Sequence, residues 1–153
     1  MKQSRLLLTL ALVALFGLSG CIKNIITLAS TTNSSYTMLA YVNGAPVSLD
    51  LCNAVIVDGK LVISGSSSGS TEGAPHIALT IYAWNGTTGN TGFTIPNGTN
   101  AYAEYSAGIG SNQVSYSGYV SITTVTNTDV VGNFTFDCAG ASVTGGTFAA
   151  KRM

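Results

Sequence analysis

Turn-forming dipeptides recur at short intervals in this chain, and they constrain its fold more than any other feature. Asn43-Gly44, Asp58-Gly59, Asn85-Gly86 and Asn97-Gly98 each separate short runs rich in β-branched and aromatic residues. Asx-Gly supplies the positive φ angles that a two-residue hairpin needs. At Asp58-Gly59 the flanking runs are "AVIV" and "KLVI". A two-residue turn there pairs Val57 with Lys60 and Ile56 with Leu61. Ala54, Ile56, Leu61 and Ile63 then share one face, and Val55, Val57 and Val62 share the other. Both faces are apolar near the turn, which predicts a second sheet against one and a covering loop over the other.

The same alternation continues downstream. "HIALTIYAW" (residues 76–84) sets Ile77, Leu79, Ile81 and Ala83 against Ala78, Thr80, Tyr82 and Trp84. In "YVSITTV" and "VVGNFTFDC", Val120 and Ile122 must share a face with Phe134, Phe136 and Cys138. A three-residue loop at Asn127-Thr128-Asp129 achieves this by placing Ile122 opposite Phe134, Val120 opposite Phe136 and Gly118 opposite Cys138. Val143 and Phe148 are out of phase, and a β-bulge at Gly145-Gly146 would restore them to one face. No segment after residue 20 sustains a 3.6-residue period. The expected fold is all-β, an antiparallel β-sandwich or closed β-barrel of about 8–10 short strands spanning residues 36–153.

The start of the chain reads differently. Leu6 to Leu18 is an apolar run of thirteen residues, too short at 1.5 Å per residue for a bilayer core of roughly 30 Å. Lys2 and Arg5 precede it, and Ser19 and Gly20 follow, as in a secretory signal. "LSGC" (residues 18–21) resembles the lipobox of bacterial lipoproteins. The resemblance implies a signal peptide over 1–20, removed on export, and a lipid-bearing Cys21. Residues 21–35 then act as a Ser/Thr/Asn-rich tether. Ile22 after Cys21 resembles the sorting pattern for the outer membrane of the cell envelope. "GYVSITTVTNTDVVGNFTFDC", "VTGGTFAAKR" and "YVNGAPV" are similar to the closing meander and opening turn of small lipoprotein domains of unknown function common in Bacteroidota. That likeness implies fold and anchor, and no chemistry.

Without residues 1–20, four cations (Lys23, Lys60, Lys151, Arg152) face six acids (Asp50, Asp58, Glu72, Glu104, Asp129, Asp137). A nucleic-acid binder needs clustered Lys and Arg to neutralise phosphates, so that class is excluded. With Cys21 lipidated, Cys52 and Cys138 remain. Export to an oxidising compartment predicts a disulfide between them, worth roughly 4–5 kcal/mol for so long a loop. The alternative is two buried free thiols. Their spacing suits no metal site, and no cofactor motif is present.

Candidates for chemistry are few. His76 is the only histidine, and Glu104 stands between Tyr102 and Tyr105. Neither has a recognisable nucleophile or second carboxylate in sequence, so the chain reads as a non-enzyme. Tyr82 and Trp84 fall on one phase opposite Leu79 and Ile81. If that phase is outward, they form a platform for a carbohydrate ring or a protein partner, extended by Tyr102, Tyr105, Tyr116 and Tyr119. The expected function is a lipid-anchored, non-enzymatic binding or envelope-structural module. The alternatives are a small β-barrel inhibitor of an envelope-directed enzyme and a hydrolase using Glu104 or His76.

Overall fold

The computed structural model describes residues 36–67, 73–93 and 100–153, so the lipobox, Cys21 and the tether lie outside the described residues. Ten strands follow in order: β1 (Met38–Val42), β2 (Ala45–Leu49), β3 (Leu51–Val57), β4 (Lys60–Ser66), β5 (His76–Ile81), β6 (Gly89–Phe93), β7 (Ala101–Ser106), β8 (Gln113–Val125), β9 (Asp129–Cys138) and β10 (Ala141–Arg152). No helix occurs among the described residues.

Seven of the strands close a barrel in the order β3-β4-β5-β7-β8-β9-β10. An odd ring cannot alternate in direction all the way round. The one parallel contact falls between β10 and β3, through Lys151–Asn53 and Arg152–Ala54. The junction of β7 with β8 is equally short, at Glu104–Val114 and Tyr105–Gln113. Beyond these two junctions the long strands take other partners. β1 lies along β10 and carries β2 outside it, while β6 lies along β8. The barrel therefore has a four-stranded half, β3-β4-β5-β7, and a six-stranded half, β2-β1-β10-β9-β8-β6.

Alternation fills the interior. Ala54, Leu61, Ile63, Ile77 and Leu79 point inward from the four-stranded half, and Val120, Phe134, Phe136, Val143 and Phe148 from the other. Phe134 lies 6.0 Å from Phe136 and 6.3 Å from Phe148 between ring centroids. It occupies the space over Gly146, where a Cβ would come within 2.5 Å of its ring. Met38 and Leu49, paired across the β1–β2 hairpin, close over Gly65 of β4 in the same way.

The Asp58-Gly59 hairpin has the expected register, Val57–Lys60 and Ile56–Leu61, with φ of 50° and 73° at the two turn residues. The Gly145-Gly146 bulge is present, and Val143 and Phe148 are both buried. Three expectations need correction. First, Val120 opposes Phe134, Ile122 opposes Gly132 and Gly118 opposes Phe136. Val125 pairs with Val130, so four residues turn the chain, and a bulge at Thr123 then restores the inward phase. Second, Gly118 makes room for Phe136, not for a sulfur, and Cys138 stands opposite Ser115. Third, Cys52 and Cys138 are buried free thiols rather than a disulfide. β10 separates their strands. Strands two places apart lie about 9–10 Å from each other, beyond the roughly 7 Å Cα reach of a disulfide. Burial pushes the Cys52 thiol up to about 12 and the Cys138 thiol up to about 11.

Candidate interaction face and its surroundings

The outward residues of the four-stranded half lie in register across the strands. One row is Val55–Val62–Thr80–Tyr102. Beside it stand Val57 and Lys60, with Tyr82 just past the end of β5. Val55 is 37% and Val57 50% exposed, so the loop expected over this face leaves them open. Met153 donates its N–H to the Ala54 carbonyl at 3.0 Å and brings a 75%-exposed side chain to the same edge of β3. Thr80 and Ala78, in the middle of this half, are buried.

Tyr82 and Tyr102 pack at 5.8 Å between ring centroids, tilted by 36°. The Lys60 ammonium sits 5.2 Å from the Tyr82 centroid, within cation–π range. Tyr82 is thus flanked by both groups. Trp84 does not join it. β5 ends at Ile81, and Ala83 has φ of 47°, a conformation unfavourable for a residue with a Cβ. That twist breaks the alternation. Trp84 packs against the core, its backbone N–H donating to Gly59 O at 2.9 Å and its indole N–H to Thr87 O at 3.2 Å.

Between Trp84, Asn90 and Ile122 lies a cleft of about 230 Å³, with Tyr82 in its wall. Its polar groups largely serve one another: Asn85 Oδ1 accepts from Thr87 Oγ1 at 2.6 Å and from Thr87 N at 3.2 Å.

His76 and Glu104 lie on the outward side of the same half, away from the apolar row. The Ser64 hydroxyl and His76 Nε2 are 2.9 Å apart, a pairing that tethers a half-buried imidazole at a strand entry. Glu104 lies opposite Ala78 on one side and Val114 on the other. Tyr105 points into the barrel and is buried, whereas Tyr116 and Tyr119 are exposed on β8. No cluster of His, Cys, Asp or Glu with metal-binding geometry occurs among the described residues.

The rim beside the face also receives the start of the barrel chain. The Tyr36 phenol hydrogen-bonds the Asp129 carboxylate, which raises the phenol above its usual range. The Thr128 hydroxyl, first, and then Tyr36 hold Asp129 below the usual carboxylate range. Arg152 N–H donates to Thr128 O at 2.8 Å on that rim, and its guanidinium reaches Thr126 O at 3.1 Å.

Alternation in the sequence marks Tyr82 as outward but does not mark Val55, Val57, Lys60 and Met153 as its neighbours. The two apolar faces of the Asp58-Gly59 hairpin were the available signal. No protein-family model matches the chain, and neither a curated protein nor a solved structure is significantly similar to it.

Proposed function

We propose that this protein is a non-enzymatic module of a bacterial cell envelope. It is held at a membrane, in the outer-membrane pattern, by lipid on Cys21, and works through the outward face of β3-β4-β5-β7. One observation carries the reading: Val55, Val57, Val62, Tyr82 and Tyr102 form a continuous apolar–aromatic surface on a rigid sheet, with Lys60 beside Tyr82. Aliphatic and aromatic side chains left outward over four strands bring nothing to the core. They suit contact with something outside the chain.

The anchor and the face are tested together. Cys21→Ser moves the protein out of the membrane fraction in this reading. A photo-crosslinking residue at position 57 captures an envelope component in cells, whereas one at Thr147, on the outward side of β10, captures little. Equal yields from the two positions would refute the face. Membrane retention of the Cys21→Ser protein would refute the anchor.

A further inference from the structure

We propose that the occupant of this face is the membrane itself: the rim bearing Val55, Val57, Tyr82 and Met153 rests in the interfacial layer of the bilayer that anchors the chain. The inference rests on the lipid anchor at Cys21 and names the partner of the face described above.

Three observations converge. The first is where the barrel chain starts. Tyr36 is fixed to Asp129 on the rim that also holds Arg152 and, through Ala54, Met153. Cys21 and Tyr36 are 15 peptide units apart. That length reaches at most about 50 Å when extended, and a coil of that length would average roughly 20 Å. A seven-residue strand such as β3 is itself roughly 23 Å long. The rim where the chain enters therefore meets the membrane more often than the opposite end.

The second is charge. Residues 36–153 contain three Lys or Arg: Lys60, Lys151 and Arg152. All three lie at this end, Lys60 beside Val57 and the other two where β10 meets β3. Two acids share the end. Asp129 accepts hydrogen bonds from Tyr36, Thr126 and Thr128, and Asp58 forms the hairpin turn. Asp50 and Asp137 stand toward the opposite end, before β3 and near the close of β9. Each cation near an anionic lipid surface strengthens binding roughly fivefold.

The third is the kind of side chain. Val55, Val57 and Met153 are exposed aliphatic tips, Tyr82 and Tyr102 are amphipathic rings, and Lys60 has a long stem with a mobile charge. This set matches an interfacial layer, where apolar tips dip below the headgroups while hydroxyls and ammonium groups stay hydrated. A specific protein partner draws instead on a few large anchors seated in fitted pockets. The largest aromatic at this rim, Trp84, packs inward against the core.

Trp84 is also a built-in reporter. It is the only tryptophan, and its backbone is bonded to Gly59 at the hairpin turn beside the face. The test places the full lipidated chain in vesicles of phosphatidylethanolamine and phosphatidylglycerol, with brominated or ordinary acyl chains. Docking predicts loss of Trp84 emission in the brominated vesicles. Val57→Asp and, separately, Lys60→Glu should restore most of it, with the fold checked by circular dichroism. Thr147→Asp, on the outward side of β10, should leave the quenching in place. A lipidated, vesicle-held protein with equal emission in both vesicles would overturn the docking while sparing the anchor. Equal emission together with a dimer that Val57→Asp dissolves would replace the membrane with a second copy of the chain. A protein recovered from the membrane fraction with no lipid on Cys21 would remove the anchor and the docking that rests on it together.

Discussion

The two halves of the barrel share one core, but β9-β10 on one side and β3-β4-β5-β7 on the other treat their outward faces in opposite ways. On the six-stranded half the outward residues of β9 and β10 are mainly the polar Asn133, Thr135, Asp137, Ser142, Thr144 and Thr147. Ser142 Oγ donates to Asp137 Oδ1 at 2.7 Å, and Thr135 Oγ1 to Val143 O at 2.8 Å. On the four-stranded half the outward residues around the hairpin are Val55, Val57, Val62, Tyr82 and Tyr102. The inward faces are alike, so core packing does not require this difference. A β-surface in water needs polar outward residues; β9 and β10 supply them, while β8 of the same half leaves Val114, Tyr116 and Tyr119 exposed. The other half departs from the rule over a contiguous area around the hairpin, and that departure is the ground for the interaction face proposed above.

If both halves depend on one core, the largest losses of stability come from its centre. Phe134→Ala removes the ring that fills the space over Gly146 and contacts Phe136 and Phe148. It should cost roughly 3–5 kcal/mol, read as a fall in the denaturant midpoint. Leu79→Ala, on the inward side of the four-stranded half, should cost roughly 2–5 kcal/mol in the same titration. A much smaller loss there would mean that this half does not share the core.

The two thiols compare the halves chemically, Cys52 on β3 and Cys138 on β9. With thiol pKa values pushed up to about 12 and about 11, both should resist alkylation in the folded protein at pH 8 and react fully in denaturant. Cys138, the lower of the two, should react first. Raised thiol pKa values mean that between about 9 and 11 the folded state holds protons that the unfolded state has released. Stability should therefore fall as pH rises through that window. A disulfide in the unreduced mass spectrum would contradict this account of the interior.

The smallest expected effect is the most telling. Val57→Ser and Tyr82→Ser should each shift stability by no more than about 0.5–1 kcal/mol, because neither side chain fills the core. Under the proposed function, the same changes should abolish most crosslinking from a photo-crosslinking residue placed at position 55 of the same face.

The difference between the halves was partly legible in the sequence. Period-two alternation identified Ile77, Leu79, Val120, Phe134 and Phe136 as inward, and Asp58-Gly59 and Gly145-Gly146 carried their own geometry. Three features left no local mark. Ala83 adopts a positive φ without being glycine, so alternation alone places Trp84 on the Tyr82 face. Thr123 forms a bulge in an ordinary run of threonines, so the β8–β9 register was displaced by two residues. The short closures of β3 on β10 and β7 on β8 are long-range pairings of a few residues, below any pattern that periodicity can detect. The exposed valines were visible as a second apolar face, but alternation alone does not say whether such a face is covered.

The most direct test of the central claim compares covering in place. Hydroxyl-radical footprinting would be run on the protein in intact envelope membranes and again after purification in mild detergent. The account predicts that Val57, Tyr82 and Met153 are protected in the membrane and labelled once purified, while Tyr41 and Tyr119 on the six-stranded half are labelled equally in both. Equal labelling of Val57, Tyr82 and Met153 in the two preparations would show that the face is bare in its native setting, and would contradict the claim that the molecule works through it.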